Sequence, residues 1–400
     1  MKYNIRFLLL LLLIQTTTGF AQENDGPAPE ATAAEVEFSF RDVPVLEEAF
    51  INATPTDRKD GITVGELGVD GGDKDMIVKL ARNIGRNLYG IYDSFLIVHK
   101  GKLLFESYYT RGRINLPHPQ ASATKTWTGL ALGRAIQLGY LSMDDLDKPL
   151  VSFLKDLDAT TFIDGAETIT LKHALTMSSG IRISSEARER MNQNPTALKG
   201  QGHVQALLEN STSITSDLQI FKYGGGAELT MQVIEAVVPG SAMGFIESEL
   251  LNKMGITNFK WQINDKTGLP EAGWRTSMTS RAMVKLGLLA INKGKWNGEQ
   301  LIPEAYIASA TSKIIPTGAN AVYFGGCRDV SNEGYGYFWW NANLHHEGKS
   351  YYTSNAQGGG GQFIILIETL DLVIVTTAHN NIYPSTLQMT ADAIIPAFID

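Results

Sequence analysis

The sequence predicts an α/β fold in which one antiparallel sheet, flanked by helices, is closed by both ends of the chain around a mostly helical middle. Three observations predict it. Two β-prone runs, Ser94–His99 and Lys102–Tyr109, lie near the start and are joined by the turn Lys100-Gly101. Two more, Gln362–Ile367 and Leu372–Thr377, lie near the end and are joined across Glu368–Asp371. Between the pairs, apolar residues recur mostly at helical spacing.

The first 21 residues read as a removable export signal. Lys2 and Arg6 precede a Leu-rich run over Phe7–Ile14, then polar Gln15–Thr18 and the small-residue end Gly19-Phe20-Ala21. That order is the layout of a secretory signal peptide cleaved after Ala21. The run is shorter than the roughly 20 residues a transmembrane helix needs, so the mature protein is expected to carry no transmembrane anchor. Residues 22–35, rich in Ala, Pro and Glu, read as a flexible leader. A periplasmic or secreted location follows.

Residues 36–400 form the remaining domain, with a helical subregion over about 126–350 inserted between the two sheet parts. Val36–Asp70 shows no clear pattern. Asp73–Leu88 has apolar residues at Met76, Ile77, Leu80, Ile84 and Leu88, the spacing of a helix. Ser122–Leu138 is apolar on one face and stops at Gly139, a fitting residue to follow a helix. Ser142 with Asp145 resembles a capping box, and Thr170 can cap the helix through Leu175. Leu387–Phe398 reads as a last short helix bent at Pro396.

Charge and composition exclude some functions. A net charge of −8 with 44% apolar residues suits a soluble protein, and no basic block marks a nucleic-acid surface. The single cysteine, Cys327, excludes an internal disulfide and reads as a small buried hydrophobe. His345-His346 are adjacent, so their side chains do not converge on a metal, and His173 reads as a structural hydrogen-bonding residue. No metal and no cofactor are expected.

The chemistry centres on Ser122 and Lys125. Residues three apart share a helix face, so hydroxyl and amine can meet. A helix N-terminus favours developing negative charge and opposes a nearby cation, which helps the Lys give up its proton. A neutral amine can then activate the Ser. Alone, the pair is a common coincidence of helices. Phe221-Lys222-Tyr223-Gly224-Gly225-Gly226 is a tight loop before a helix, and its three glycines permit unusual backbone angles. It reads either as a flexible turn with a buried Tyr or as a loop that presents Tyr223. Gly358–Gly361 opens a strand, where bare backbone can meet a substrate carbonyl or form a bulge. Trp339, Trp340, Tyr351 and Tyr352 either line a cleft wall or pack the core.

Together these residues resemble the serine hydrolases related to class C β-lactamases, D-alanyl-D-alanine peptidases and esterases, over roughly Phe95–Thr377. Ser122-Ala123-Thr124-Lys125 matches the family's first motif, and Gly139-Tyr140-Leu141 with Asp144-Asp145 follows in order. Ala174–Gly180 resembles the next stretch, and Tyr223-Gly224-Gly225 stands where the family has Tyr-x-Asn. Ala356–Gln362 and Tyr335–Trp340, with Gly273-Trp274 through Gly287, are similar to the branch containing the 6-aminohexanoate-dimer hydrolases.

The resemblance implies a β-lactamase/transpeptidase-like fold and a serine hydrolase cleaving small esters or linear amides through an acyl-enzyme on Ser122. It implies Ser122, Lys125 and Tyr223 as catalytic residues, Tyr223 acting as a proton shuttle. It implies an oxyanion hole from the N–H groups of Ser122 and Gly359. Gly225, Ala356, Gln357, Gly358 and Trp340 are the expected substrate-binding residues, and the partner is a small ester, amide or peptide-like molecule. Gly225 departs from the family's Asn. That departure keeps open a catalytically weak or inactive protein binding peptide-like or cell-wall fragments. The fold also admits a β-lactamase or D-alanyl-D-alanine peptidase.

Overall fold

The computed structural model describes residues 26–318, 328, 330–380 and 386–399. The expected signal peptide and Cys327 lie outside the described residues.

The strands are β1 (Phe50–Asn52), β2 (Tyr92–His99), β3 (Lys102–Tyr108), β4 (His118–Pro119), β5 (Phe259–Trp261) and β6 (Thr276–Met278), then β7 (Ile315–Pro316), β8 (Val330–Tyr335), β9 (Trp340–His346), β10 (Lys349–Gly358), β11 (Gln362–Ile367) and β12 (Leu372–Ala378). Nine of them form one sheet in the order β1-β3-β2-β12-β11-β10-β9-β8-β7, and every neighbouring pair is antiparallel. The first and last hairpins meet where β2 pairs with β12, Val98 opposite Val373 and Ile97 opposite Ile374. Both strands are buried along their whole length, so helices must cover both faces.

The covering helices include α1 (Lys74–Gly85), with Asp73 as its N-cap, and a broken C-terminal helix over Thr386–Phe398. That last segment runs through α, π and 3₁₀ turns in succession, and Pro396 opens the 3₁₀ turn rather than bending one continuous helix. The rest of the site-bearing helices are α2 (Thr124–Gln137), α3 (Leu171–Leu175), α4 (Gly226–Val237) and α5 (Ser280–Ile291). A methyl at Gly287 of α5 would lie 2.4 Å from Val373. His99, the neighbour of Val98 on the opposite face of the sheet, meets the ring of Phe398 at 5.0 Å. Thus α5 covers one face and the C-terminal helix the other. A small three-stranded sheet, β4-β6-β5, leads directly into the Ser122 segment.

Two expectations change. The helical subregion is narrower than 126–350, because β7, β8 and β9 extend the main sheet from residue 315 onward. The described part of the 22–35 leader packs on the body: Ala31 is buried with Val43 and Leu116, and its N–H donates to Asn115 Oδ1 at 2.7 Å. Thr32 caps a turn of helix over Ala33–Val36 through a full capping box with Glu35. Local capping and a few apolar contacts outweigh the polar composition that suggested a loose segment. Among the described residues, no single helix is long and apolar enough to cross a membrane, although one sharply bent pair of helices passes by length and composition.

One buried ion pair ties α5 to the sheet. Arg281 reaches Glu106 through two hydrogen bonds of 2.9 and 2.8 Å, and Tyr108 Oη donates to the same carboxylate at 2.7 Å. Truncating one partner strands the other charge. Glu106→Ala is therefore expected to lower unfolding stability by about 3–5 kcal/mol in urea melts, whereas a paired Glu106→Leu, Arg281→Met replacement is expected to cost less.

Candidate active site

The approach to Ser122 is built from short-range constraints. His118 pairs with Met278 in β4–β6, and Gln120 N–H donates to Thr276 O at 2.8 Å. Ala121 then takes a left-handed backbone conformation, φ +46°, which costs an L-residue about 1–2 kcal/mol. The turn is held on its far side by Thr124, whose hydroxyl donates to Ala121 O at 2.7 Å. Ser122 sits in a single 3₁₀ turn, Ala121–Ala123, and α2 begins at Thr124. At its other end α2 closes as expected on Gly139, φ +80°. The Tyr140 N–H bonds Ala135 O and the Gly139 N–H bonds Ile136 O, the paired bonds of a Schellman cap.

Lys125 Nζ donates to Ser122 Oγ at 3.2 Å and to Gly273 O at 2.7 Å. The amine is 7% exposed, and burial lowers its pKa from 10.5 to about 8, with the negative charge of Glu228 opposing that fall. The ring of Tyr223 faces Nζ at 4.9 Å. What the structure brings to the amine is thus the face of the Tyr223 ring. Trp340 backs that ring at 5.3 Å and Tyr335 stands edge-on to it at 6.3 Å.

The Tyr223 loop is placed by the turn after α3. Lys222 N–H donates to Met177 O at 2.8 Å, and Phe338 N–H donates to Leu175 O at 3.2 Å, so one turn anchors both the Tyr223 loop and the Trp340 strand. Thr170 caps α3 and accepts from His173 N–H, while His173 Nδ1 accepts from Thr170 N–H; this gives His173 its structural role. The three glycines of the loop do not use left-handed angles. Gly225 has φ −76°, and Gly226 is glycine because a methyl there would lie 2.1 Å from Ala174 O.

Gly358 ends β10 and Gly359–Gly361 form the turn into β11, with positive φ at Gly360 and Gly361. A methyl at Gly358 would stand 2.1 Å from Gln120 O, so the absence of a side chain lets this strand end press against the residue two before Ser122. Gln362 steadies the turn: its Nε2 donates to Gly359 O at 2.9 Å and its Oε1 accepts from Ala378 N–H at 2.9 Å. Of the other expected binding residues, Ala356 is fully buried opposite Ile364 and Trp340 is 2% exposed. Trp340 is buried against the Tyr223 ring. Gln357 is also buried, and neither end of its amide has a hydrogen-bond partner among the described residues.

Two residues at the site escaped the sequence reading. Gly273 was grouped with the family resemblance and given no role, yet its carbonyl is the shortest partner of Lys125. Glu228, one turn into α4, has a carboxyl held above its ordinary pKa by burial, with the Lys125 charge opposing. Its only sequence signal is its position three residues after Gly225.

A family model described as Beta-lactamase matches residues 87–396. Among solved structures, an octameric penicillin-binding protein homologue from Pyrococcus abyssi aligns with TM-score 0.58 at 16% identity, over 80% of this chain and 77% of its own. A protein from Bacillus anthracis assigned as a 6-aminohexanoate-dimer hydrolase aligns with TM-score 0.57 at 17% identity, over 94% and 90%. A D-stereospecific amidohydrolase from Streptomyces sp. aligns with TM-score 0.55 at 13% identity, over 80% and 98%. At these identities the likeness is one of fold. No protein with a curated description matches the chain.

Gly358→Ala is expected to force the strand end away from Gln120, lowering stability by about 1–3 kcal/mol in denaturant melts. Reactivity at Ser122 is expected to fall with it; Gly359→Ala, where a methyl meets nothing within 4 Å, is expected to leave stability unchanged.

Proposed function

The chain belongs to the β-lactamase family, whose members share a hydrolase fold, and from that premise we propose that it is a serine hydrolase cleaving small esters or linear amides through an acyl-enzyme on Ser122. The observation that carries the proposal is the buried Lys125 amine 3.2 Å from Ser122 Oγ, with a pKa near the pH at which it must work. Within the family, Ala356–Gln362 and Tyr335–Trp340 favour the branch of the 6-aminohexanoate-dimer hydrolases.

In this reading Ser122 Oγ attacks the acyl carbon while neutral Lys125 takes the hydroxyl proton. The carbonyl electron pair moves onto oxygen, and the oxyanion faces the N–H groups of Ser122 and Gly359. Collapse of the intermediate expels the alcohol or amine, which receives its proton by way of Tyr223, and leaves the acyl group on Ser122. Water, deprotonated by the same amine, then releases the acid and restores the hydroxyl. The Gln362 bond to Gly359 O steadies the peptide that follows the Gly359 N–H.

The substrate preference follows from what faces a carboxylate-bearing substrate. Ala356 stands where related enzymes carry Lys or His, and Gly225 has no amide side chain. Two arginines that could supply a cation from other loops hold partners of their own: Arg275 stacks on Trp274 at 4.1 Å and Arg328 pairs with Asp392 at 3.0 Å. A β-lactam carboxylate and amide would lose partners at about 1–3 kcal/mol for each unmatched buried group. The proposal includes export, carried by the signal-like stretch Met1–Ala21.

A fluorophosphonate is expected to add one adduct to the intact mass, lost in Ser122→Ala. No adduct would favour the binding-protein reading that Gly225 motivates. Turnover should rise with pH and reach half its maximum near pH 8, because Lys125 must be neutral to act as base. Short-chain nitrophenyl esters and a linear amide dimer are expected to surpass a chromogenic cephalosporin in kcat/KM; the reverse order would overturn the substrate assignment.

A further inference from the structure

The space beside Lys125 that Gly225 leaves open is not empty of chemistry. A Cβ built on Gly225 would lie 3.5 Å from Glu228 Oε2, so the carboxyl group, rising from the first turn of α4, extends into the region that a longer side chain at 225 would enter. An Asn at 225 would have to share that volume with the carboxylate. Glu228 Oε2 is buried and makes no hydrogen bond to any described residue.

Gly273 fixes how the carboxyl and the amine stand to each other. A methyl on Gly273 would lie 3.2 Å from Glu228 Oε1 and 3.3 Å from Lys125 Nζ. The two groups therefore flank the space that a side chain at 273 would fill, and they face each other over it without a direct ion-pair contact. The same residue gives its carbonyl to the amine at 2.7 Å. We propose that Glu228 is a positioning residue for the Ser122–Lys125 pair, its carboxylate setting the charge state of the Lys125 amine from across Gly273.

The electrostatics have one direction. A carboxylate a few ångströms from an amine in a poorly hydrated site favours the ammonium form. Burial pulls the other way, and it is the larger influence on Lys125. Glu228 thus limits how far burial can depress the base. The groups facing the pair are few. Tyr223 offers Nζ its ring, Glu271 acts on Glu228 as a like charge that favours its neutral form, and Ser122 accepts from Nζ. When ionised, Glu228 holds the Lys125 proton more firmly, while its own burial and Glu271 favour its neutral form.

The inference rests on Lys125 being the base for Ser122, and its test separates the two claims. The rate of Ser122 labelling by a fluorophosphonate is measured against pH on the full chain for wild type, Glu228→Gln, Glu228→Asp and Lys125→Ala. Glu228→Gln keeps the size of the side chain and removes its charge. Its acidic limb is expected to move down by about half to one pH unit, making labelling at pH 6 roughly three- to tenfold faster than wild type. Glu228→Asp is expected to return the limb toward the wild-type position. A limb unmoved in Glu228→Gln overturns the inference, including the case in which only the high-pH plateau falls, since that is what a purely structural side chain would give. A limb retained in Lys125→Ala overturns the reading of Lys125 as base, and does so independently of Glu228.

Discussion

A lysine amine taken out of water keeps its charge only as far as its neighbours allow, and the architecture around Ser122 is governed by how few neighbours Lys125 has. The amine bonds one carbonyl and one hydroxyl, faces an aromatic ring, and has a carboxyl set at a distance. A direct carboxylate contact would hold the proton firmly, and no contact at all would make the buried charge too costly to form. The intermediate arrangement keeps both protonation states accessible. It requires Gly273 to come close from a segment almost 150 residues further along the chain. Thr124 and Thr128 of α2 lace that segment down, through Thr276 Oγ1 at 2.8 Å and Ala272 O at 2.8 Å.

The rest of the site is made by backbones approaching one another where side chains are missing. Gly358 against Gln120 and Gly226 against Ala174 leave no room for a methyl, and Gly273 against the Lys125–Glu228 pair leaves a tight fit for one. These contacts draw the end of β10, the start of α4 and the segment before β6 onto the first turn of α2. The left-handed Ala121 is the cost of turning the chain sharply into the segment that carries Ser122. Strain at one residue is tolerable because bonds on either side fix its backbone.

Long periodic elements were legible from the sequence and the charge relations at the site were not. The β11 strand begins and ends where a short apolar run and the turn residues after it place it, and α2 stops at Gly139 because only a left-handed residue closes that cap. The Ser122–Lys125 contact was legible because it is local, set by helix geometry alone. Glu228 and Gly273 were not, since their meaning depends on tertiary approach between segments that carry no pattern of their own. The buried position of Ala356 escaped for the same reason: strand alternation gives a side for each residue and says nothing of what is packed there. The leader was misjudged from composition because a single capping box and three apolar contacts decide the fate of so short a piece.

Behind the nucleophile lies a second buried charge whose logic is the reverse of the first. Asp93, in the middle of the sheet at β2, is wholly buried, and its carboxyl is held far below its ordinary pKa despite that burial. The hydrogen bonds that do so come from His118 at 3.1 Å and His379 at 2.6 Å; the Thr110 hydroxyl at 2.5 Å and the Arg111 N–H at 3.0 Å also bond the carboxylate. His379 Nε2 faces the Arg111 guanidinium at 3.1 Å, which donates, so the Nδ1 proton belongs to the bond with Asp93. Where Lys125 is left with few partners so that it can change state, Asp93 is given many so that it cannot. Three segments must converge to satisfy it, and one of them is β4, whose next residues are Gln120, Ala121 and Ser122. A carboxylate locked in one state anchors the strand that delivers the nucleophile to an amine free to hold either.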